Sequence, residues 1–322
     1  MKKPVRAGTN IPQLSFVIPA FNEEGSIKDT IVQVAAEATR LKKSFEIIII
    51  DDGSKDTTFE KAKAMGAKLP VRVLRLSRNF GKERALMAGL EASKGKAVVI
   101  LDADLQEPIS YLEDMLKHYD QGYEMVYAVR ENRDDETFLK RAFTKRFYQM
   151  LSFGTDVDIP PDSRDFRIMD RCVVDAICNL PEQNLFMKGI YSWVGFKSMA
   201  LPIQMKERTT GTSKFGFASL FKLAMTGLTS FTSWPLRIWT VVGMALALLS
   251  IVYGSWILLK TLIWGVDVPG FATITVAVFF LGGIQLMSVG IIGEYLARVF
   301  IEVKGRPRFI VAEETIPAKK SS

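Results

Sequence analysis

The chain is short of the residues that build soft-metal centres and disulfide scaffolds. Its 322 residues hold one histidine, His118, and two cysteines, Cys172 and Cys178. With no CxxC pair and no Cys/His cluster, a zinc site and a disulfide framework are excluded, and both cysteines read as buried apolar fillers. His118 falls mid-helix without an acidic partner and is assigned no chemistry. Two phosphate-binding signatures are also missing. No GxGxxG follows the first strand, and there is no GxxxxGK[ST] loop. Phosphate, if bound, is therefore held by a metal and by cationic side chains such as Lys82. The start, MKKPVRAGTNIPQ, runs from basic residues into Pro and Gln without an apolar stretch. No signal peptide is expected, and the first half is expected to stay in the cytoplasm.

What the chain does have is charge and an uneven distribution of apolar residues. A net charge of +7 suits nucleic acid or an anionic membrane surface. Residues 1–205 are mixed, whereas 215–300 are dominated by apolar runs, and this contrast selects the membrane over nucleic acid. Up to residue 130 apolar strands alternate with helical patterns. Strands are predicted over Leu14–Ile18 (ended by Pro19), Phe45–Ile50, Val71–Leu76, Ala97–Leu101 and Glu124–Val129. Helices are predicted over Ser26–Lys42, Asp56–Lys68, Glu83–Lys94 and Ile109–Tyr119. Such alternation specifies an α/β domain with a mostly parallel sheet, and ligands bind such sheets at the carboxyl ends of the strands. Polar groups gather at those ends: Glu23 after the first strand, Asp52 after the second, Ser77 after the third. Acidic groups after the first two strands suit hydrogen bonds to a base or ribose.

The densest chemistry follows the fourth strand, in Ala97–Pro108, AVVILDADLQEP. Two carboxylates at the end of a buried strand are costly unless a cation meets them. On an extended segment Asp102 and Asp104 would point the same way, so both could face one hard divalent ion, with Gln106 as a further oxygen donor. A strand-end turn in which Asp104 caps the next helix is the plainer reading.

Three segments, VIPAFNEE from Val17, IDDGS from Ile50 and DAD from Asp102, resemble the nucleotide-sugar-binding fold of family 2 glycosyltransferases. SRNFGK from Ser77, DADLQEP from Asp102 and DFRIMDR from Asp165 narrow this to the polyprenyl-phosphate glycosyltransferases, including the bacterial bactoprenol type. The resemblance implies a GT-A type α/β domain and an inverting transfer of a hexose from a nucleotide sugar, UDP-glucose foremost, to undecaprenyl or another polyprenyl phosphate. It implies Mg²⁺ or Mn²⁺ on Asp102, Asp104 and Gln106. It puts Pro19, Ala20, Phe21, Glu23, Asp52, Ser77, Lys82, Asp102, Ala103 and Asp104 around the nucleotide sugar, and makes Asp165 an active-site residue rather than a local cap. Asp104, Asp165 and Arg130 form the expected catalytic set. A phosphate acceptor already carries a nucleophilic oxygen at neutral pH, so a dedicated base is dispensable and cations matter more. Arg130, Arg141, Ser213 and Lys214 are the expected acceptor-phosphate residues; Ser213-Lys214-Phe215 also resembles a motif of these enzymes.

Beyond residue 130 the pattern loosens. Phe138–Leu151 reads as a basic helix that faces solvent or lies on anionic lipid, and Arg171–Cys178 as a helix. Phe215–Trp234 reads as an in-plane interfacial helix. Ile238–Leu259 and Val268–Gly293 have the length and composition of membrane spans. Flanking cations, Lys206, Arg208, Lys214, Lys222 and Arg237 before and Arg298, Lys304, Arg306 and Arg308 after, put both ends in the cytoplasm. The expected organisation is a catalytic domain over 1–210, an interfacial region over 211–235, two transmembrane helices over 236–297 and a cytoplasmic tail over 298–322, in the bacterial inner membrane. Gly282, Gly283, Ser288, Gly290 and Gly293 suit close helix packing, between subunits or otherwise. A processive polysaccharide synthase lacks support, since there is no Gln-x-x-Arg-Trp motif and there are too few spans. A catalytically dead scaffold is opposed by the intact Asp102, Asp104 and Gln106. A channel is opposed by the absence of ionisable residues in mid-span.

Overall fold

The computed structural model describes residues 11–130, 160, 163–183, 185–204 and 270–316, with scattered helical positions between 243 and 264. The chain divides into two units: Met1–Tyr148, Val157–Gly216 and Pro307–Ser322 form one, and Gln149–Asp156 with Phe217–Arg306 the other.

The first unit begins as predicted, with strands and helices in alternation: β1 (Leu14–Ala20), α1 (Ile27–Arg40), β2 (Phe45–Asp51), α2 (Thr58–Met65), β3 (Val71–Leu76), α3 (Lys82–Ala92) and β4 (Ala97–Ile100). A 3-10 turn at Ile109–Tyr111 leads into α4 (Leu112–Asp120), then β5 (Met125–Arg130). β6 (Ser163–Asp170), α5 (Arg171–Cys178), α6 (Met187–Trp193), β7 (Ser198–Ile203) and β8 (Val311–Thr315) complete it. The sheet order is β7-β5-β6-β4-β1-β2-β3-β8. β1, β2, β3 and β4 are parallel to their neighbours among one another, as are β5 and β7, while β6 and β8 run antiparallel.

The central strands are apolar on both faces because helices cover both. Every residue of β1 is buried. Phe16, Ile18, Ile47 and Ile49 share one core with Ile31, Val34, Phe59, Leu112 and Met115 of α1, α2 and α4. On the other face α3 approaches so closely that a Cβ at Gly89 would lie 2.3 Å from Val17 Cγ1. Burying each Val, Leu or Ile contributes about 1.5–3 kcal/mol, so this double layer supplies most of the unit's stability.

Several local readings are corrected. Pro19 does not end β1; the strand runs through it to Ala20, in register with β2. β4 pairs with β1 only as far as Val17, so from there one side of β1 has no β4 partner and a residue lacking an N–H is tolerated. The carboxylate that caps α5 is Asp170, which accepts the Cys172 N–H at 2.9 Å; Asp165 instead lies inside β6. Cys172 is exposed and Cys178 half-buried, so neither is a core filler. Residues after 307 return to the first unit: β8 pairs with β3, and Arg308 donates to the carbonyls of Leu180 and of Glu182, the latter at 3.0 Å.

The second unit contains α7 (Phe271–Lys304), 34 residues ended by Gly305 in the left-handed region at φ +58°. At 1.5 Å per residue it is roughly 50 Å long. It runs past the predicted end at Gly293, and its stretch Phe280–Lys304 is the one helix among the described residues long and apolar enough to cross a membrane. Leu286, Val289, Ile292, Leu296 and Phe300 are exposed along it. Phe138–Leu151, Phe215–Trp234, Arg141, Ser213 and Lys214 lie outside the described residues.

Candidate active site

Strand direction assembles the site. The carboxyl ends of β1, β2, β3 and β4 share one edge of the sheet. β6 runs the other way, so its amino end arrives at that edge too. Arg167 of β6 pairs with Ile100, the last residue of β4; Asp165, two residues earlier, therefore falls level with the segment just beyond β4. Lys82, the first residue of α3, bridges the two: its Nζ lies 2.6 Å from Asp102 Oδ1 and also contacts Asp165 Oδ2. Burial pushes the Asp102 carboxyl up, against the pull of Lys82. Burial acts on Asp165 too, but there the Lys82 ammonium prevails and holds the carboxyl below its ordinary range. Burial disfavours the Lys82 charge, and the two carboxylates more than compensate, so the ammonium titrates above its usual range.

Asp102 and Asp104 are presented by a turn rather than by strand alternation, because β4 ends at Ile100. The Leu105 N–H donates to Asp102 O at 3.3 Å, and Leu105 adopts φ +47°. A non-glycine residue held there stores strain of about 1–3 kcal/mol and marks functional segments. The turn is pinned from below by Thr30 of α1, whose hydroxyl donates to Ala103 O at 2.6 Å. Asp104 Oδ1 accepts the Gln106 N–H at 3.2 Å. Among the described residues no group of three or more His, Cys, Asp or Glu side chains forms a metal cage. The donor set fits a hard cation all the same: Mg²⁺ typically takes one or two carboxylates and completes its shell with phosphate oxygens and water.

The residues expected around the nucleotide lie along the same edge. Asp52 accepts N–H bonds from Phe80 at 2.7 Å and Gly81 at 2.9 Å, one on each oxygen. It thereby fixes the loop that delivers Lys82. Gly53, at φ +69°, is pressed against that loop: a Cβ would lie 2.5 Å from the Arg78 carbonyl carbon. Glu23 accepts the Ser26 hydroxyl at 2.8 Å, and its N–H donates to Thr58 Oγ1. Phe21 is 41% exposed, an aromatic face open to a base, while Pro19 and Ala20 are buried behind it. Ser77 is exposed beyond β3. Arg130 ends β5, which is parallel to β4 and so finishes at this edge.

Four charged groups were not singled out from sequence. Glu107 is buried and pushed up to about 7 by desolvation and by Asp102. Glu83, beside Lys82, is pushed up to about 7 by burial and by Asp165. Arg167 is 2% exposed and stacks on Tyr191, 3.6 Å from the ring centroid. Lys188 on α6 is held below its ordinary range by burial. Only Glu107 and Arg167 had a sequence signal, their place within motifs already in view; Glu83 falls one residue past such a motif.

A sheet of this topology, with carboxylates on a pinned turn beside a lysine-bridged aspartate, is a GT-A-like α/β domain, and its family match makes it a glycosyltransferase. Residues 15–178 match Glycosyl transferase family 2, and residues 234–299 match the GtrB C-terminal hairpin. The chain belongs to glycosyltransferase family 2. It is 42% identical to the uncharacterized glycosyltransferase sll0501 of Synechocystis sp. over 96% of this chain and 98% of that one. It is 41% identical to the bactoprenol glucosyl transferase of Shigella phage SfV over 94% of this chain and 99% of that one. Among solved structures, glucosyl-3-phosphoglycerate synthase from Mycobacterium tuberculosis aligns at 19% identity and TM-score 0.45, over 68% of this chain and 79% of that chain.

Proposed function

We propose that this protein transfers glucose from UDP-glucose to undecaprenyl phosphate, or a similar polyprenyl phosphate, at the cytoplasmic face of the membrane. The observation that carries the reading is the Asp102–Lys82–Asp165 bridge set beside the Asp102–Asp104 turn. Relatives named bactoprenol glucosyl transferases support the substrates.

The reaction is a displacement with inversion. An acceptor phosphate oxygen forms a bond to the anomeric carbon while the bond to the donor diphosphate breaks, and its electron pair leaves with UDP. A phosphate monoester with a second pKa near 6 is already a nucleophile at neutral pH, so the chain must manage charge rather than remove a proton. Asp102 and Asp104, with Gln106, would hold Mg²⁺ or Mn²⁺, which would supply charge neutralisation to the leaving diphosphate. Lys82 donates to diphosphate oxygens from its place at the head of α3. Asp165 keeps its negative charge beside Lys82 and orients the sugar at the reacting carbon. Arg130, Arg141, Ser213 and Lys214 receive the acceptor phosphate. Phe21, Glu23 and Asp52 flank the uridine.

The membrane part is read as a hairpin. The chain leaves the first unit after Gly216 and rejoins it at Pro307, and β8 completes the same sheet as β1. Crossings in between must then be even in number. With α7 as one, Ile238–Leu259 supplies the second, and the match to a C-terminal hairpin family supports this.

The test is transfer of labelled glucose from UDP-glucose to undecaprenyl phosphate by the purified protein in detergent. Labelled lipid should form with Mg²⁺ or Mn²⁺, fall by about a hundredfold or more in Asp104→Asn, and vanish in EDTA. Undiminished turnover by a metal-free preparation overturns the reading.

A further inference from the structure

A cavity of about 260 Å³ lies against β5, β6 and β7, with α6 forming its opposite wall; Tyr127, Ser163, Arg167, Lys188, Tyr191 and Ser198 are among its lining residues. In the sheet order these strands are separated by β4 from β1 and β2, which carry the nucleotide-side residues. Arg167 and Asp165 are two apart on β6, so the cavity adjoins the carboxylate cluster without being part of it.

Among the described residues no carboxylate pairs with the cavity's cations at contact distance; Asp165 and Glu83 act on them only from farther off. Arg167 is 2% exposed. Its guanidinium donates to the Arg164 carbonyl at 2.6 Å, the Asp165 carbonyl at 3.3 Å and Met125 Sδ at 3.8 Å. These contacts are neutral, and a guanidinium has five N–H donors to place. Among the described residues Arg167 forms no ion pair. Lys188 forms neither an ion pair nor a hydrogen bond among them, and burial already disfavours its charge. The Tyr191 hydroxyl is buried without a hydrogen-bond partner. Taking a cation out of water without a contact ion pair costs up to several kcal/mol; two facing one cavity, Arg167 from the sheet and Lys188 from α6, with serine hydroxyls beside them, form a receptor for an anion. Arginine's fork matches paired oxygens, and lysine adds a point charge. The volume accommodates a phosphate group together with the first atoms of its carrier.

We propose that this cavity binds a phosphate group, as a phosphate monoester or as inorganic phosphate, through Arg167 and Lys188, with Ser163 and Ser198 as hydroxyl donors. The site stands on its own geometry; a lipid-borne phosphate held here rests on the transfer reading above and would replace Arg130, Arg141, Ser213 and Lys214 as its acceptor-phosphate residues.

The experiment uses the full chain in detergent and titrates inorganic phosphate, farnesyl phosphate and UDP separately by calorimetry. Inorganic phosphate should bind the wild type, and Lys188→Met should weaken it about tenfold while leaving UDP affinity unchanged. A second measurement needs no variant: saturating phosphate should protect Lys188 of the wild type from acylation, read by peptide mass spectrometry. Farnesyl phosphate that competes with inorganic phosphate and shares the Lys188 dependence assigns the site to the lipid headgroup. Farnesyl phosphate that ignores Lys188, while inorganic phosphate depends on it, assigns the site to the free anion. Equal phosphate affinity in wild type and Lys188→Met, with Lys188 unprotected, overturns the proposal. Failure of the transfer reading would appear separately, as absence of labelled lipid in the glucose assay.

Discussion

Lys82 holds two carboxylates from different elements in one cluster, and the neighbouring Glu83 feels the charge this concentrates. Its carboxyl feels the Asp165 charge and accepts the Met187 N–H at 3.2 Å. Burial and the Asp165 charge together push it from 4.5 up to about 7. The linkage follows in sign. Below 4.5 folded and unfolded chains both hold the proton; from there up to about 7 the folded chain holds more. Glu83's contribution to stability is thus complete at low pH and is lost as pH rises through its folded value. In Glu83→Gln there is no proton to lose, and the amide oxygen still accepts from Met187. Thermal midpoints of the detergent-solubilised protein should therefore shift in favour of Glu83→Gln, relative to wild type, as pH rises from about 5 to 8. Some decline should persist in the variant, because Glu107 is also raised to about 7. Parallel curves for the two proteins would show that Glu83 carries no raised titration.

At the level of elements, legibility follows composition. β1, β2 and β4 are near-continuous apolar runs, and β3 sets Val and Leu around Arg72 and Arg75; all are bounded by turn residues, so their existence was readable to within a residue or two. β6 was not: Ser163–Asp170, SRDFRIMD, carries Arg164, Asp165, Arg167 and Asp170, too many charges for a strand read alone. Those charges are there because the strand lines the site on one side and packs Phe166 and Ile168 into the core on the other. Function thus masked the strand signal at the position where the structure is most functional. β7 was missed because it is a short edge strand interrupted by Pro202, and β8 because VAEET is exposed along most of its length and carries no apolar alternation. The site was legible as a set of strand ends, and the Asp102–Asp104 pair with it, but the Lys82 bridge depends on β6 running antiparallel. Gly53 shows how tightly these loops are joined. Its positive φ and the 2.5 Å approach to the Arg78 backbone leave no room for a methyl group. Gly53→Ala should lower unfolding stability by about 1–3 kcal/mol and raise the KM for the donor sugar, since the loop it displaces delivers Lys82. A denaturant midpoint equal to wild type would contradict this.

For the molecule as a whole, the return of the chain to its first unit constrains what the apolar part can do. β8 hydrogen-bonds to β3, Glu313 pairs with Lys63 at 2.9 Å, and Arg308 is anchored on the carbonyls of Leu180 and Glu182. The segment after α7 is therefore on the same side of any membrane as the catalytic sheet. Positive charge points the same way: Lys206, Arg208, Lys214 and Lys222 precede the apolar runs, and Arg298, Lys304 and Arg306 close them. Two crossings would satisfy both constraints, and the segment around residues 261–270 is then expected outside. The arrangement is testable with single cysteines at Val266→Cys and at Ala318→Cys, in a background carrying Cys172→Ser and Cys178→Ser. The background change is required because Cys172 is exposed. On intact cells an impermeant thiol reagent should label position 266 and spare 318, and after permeabilisation it should label both. Protection at both positions before permeabilisation would mean that α7 lies in the membrane plane or re-enters without crossing. Labelling at 318 with protection at 266 would invert the protein, and the catalytic sheet, tied to its carboxyl-terminal strand, would then face outward.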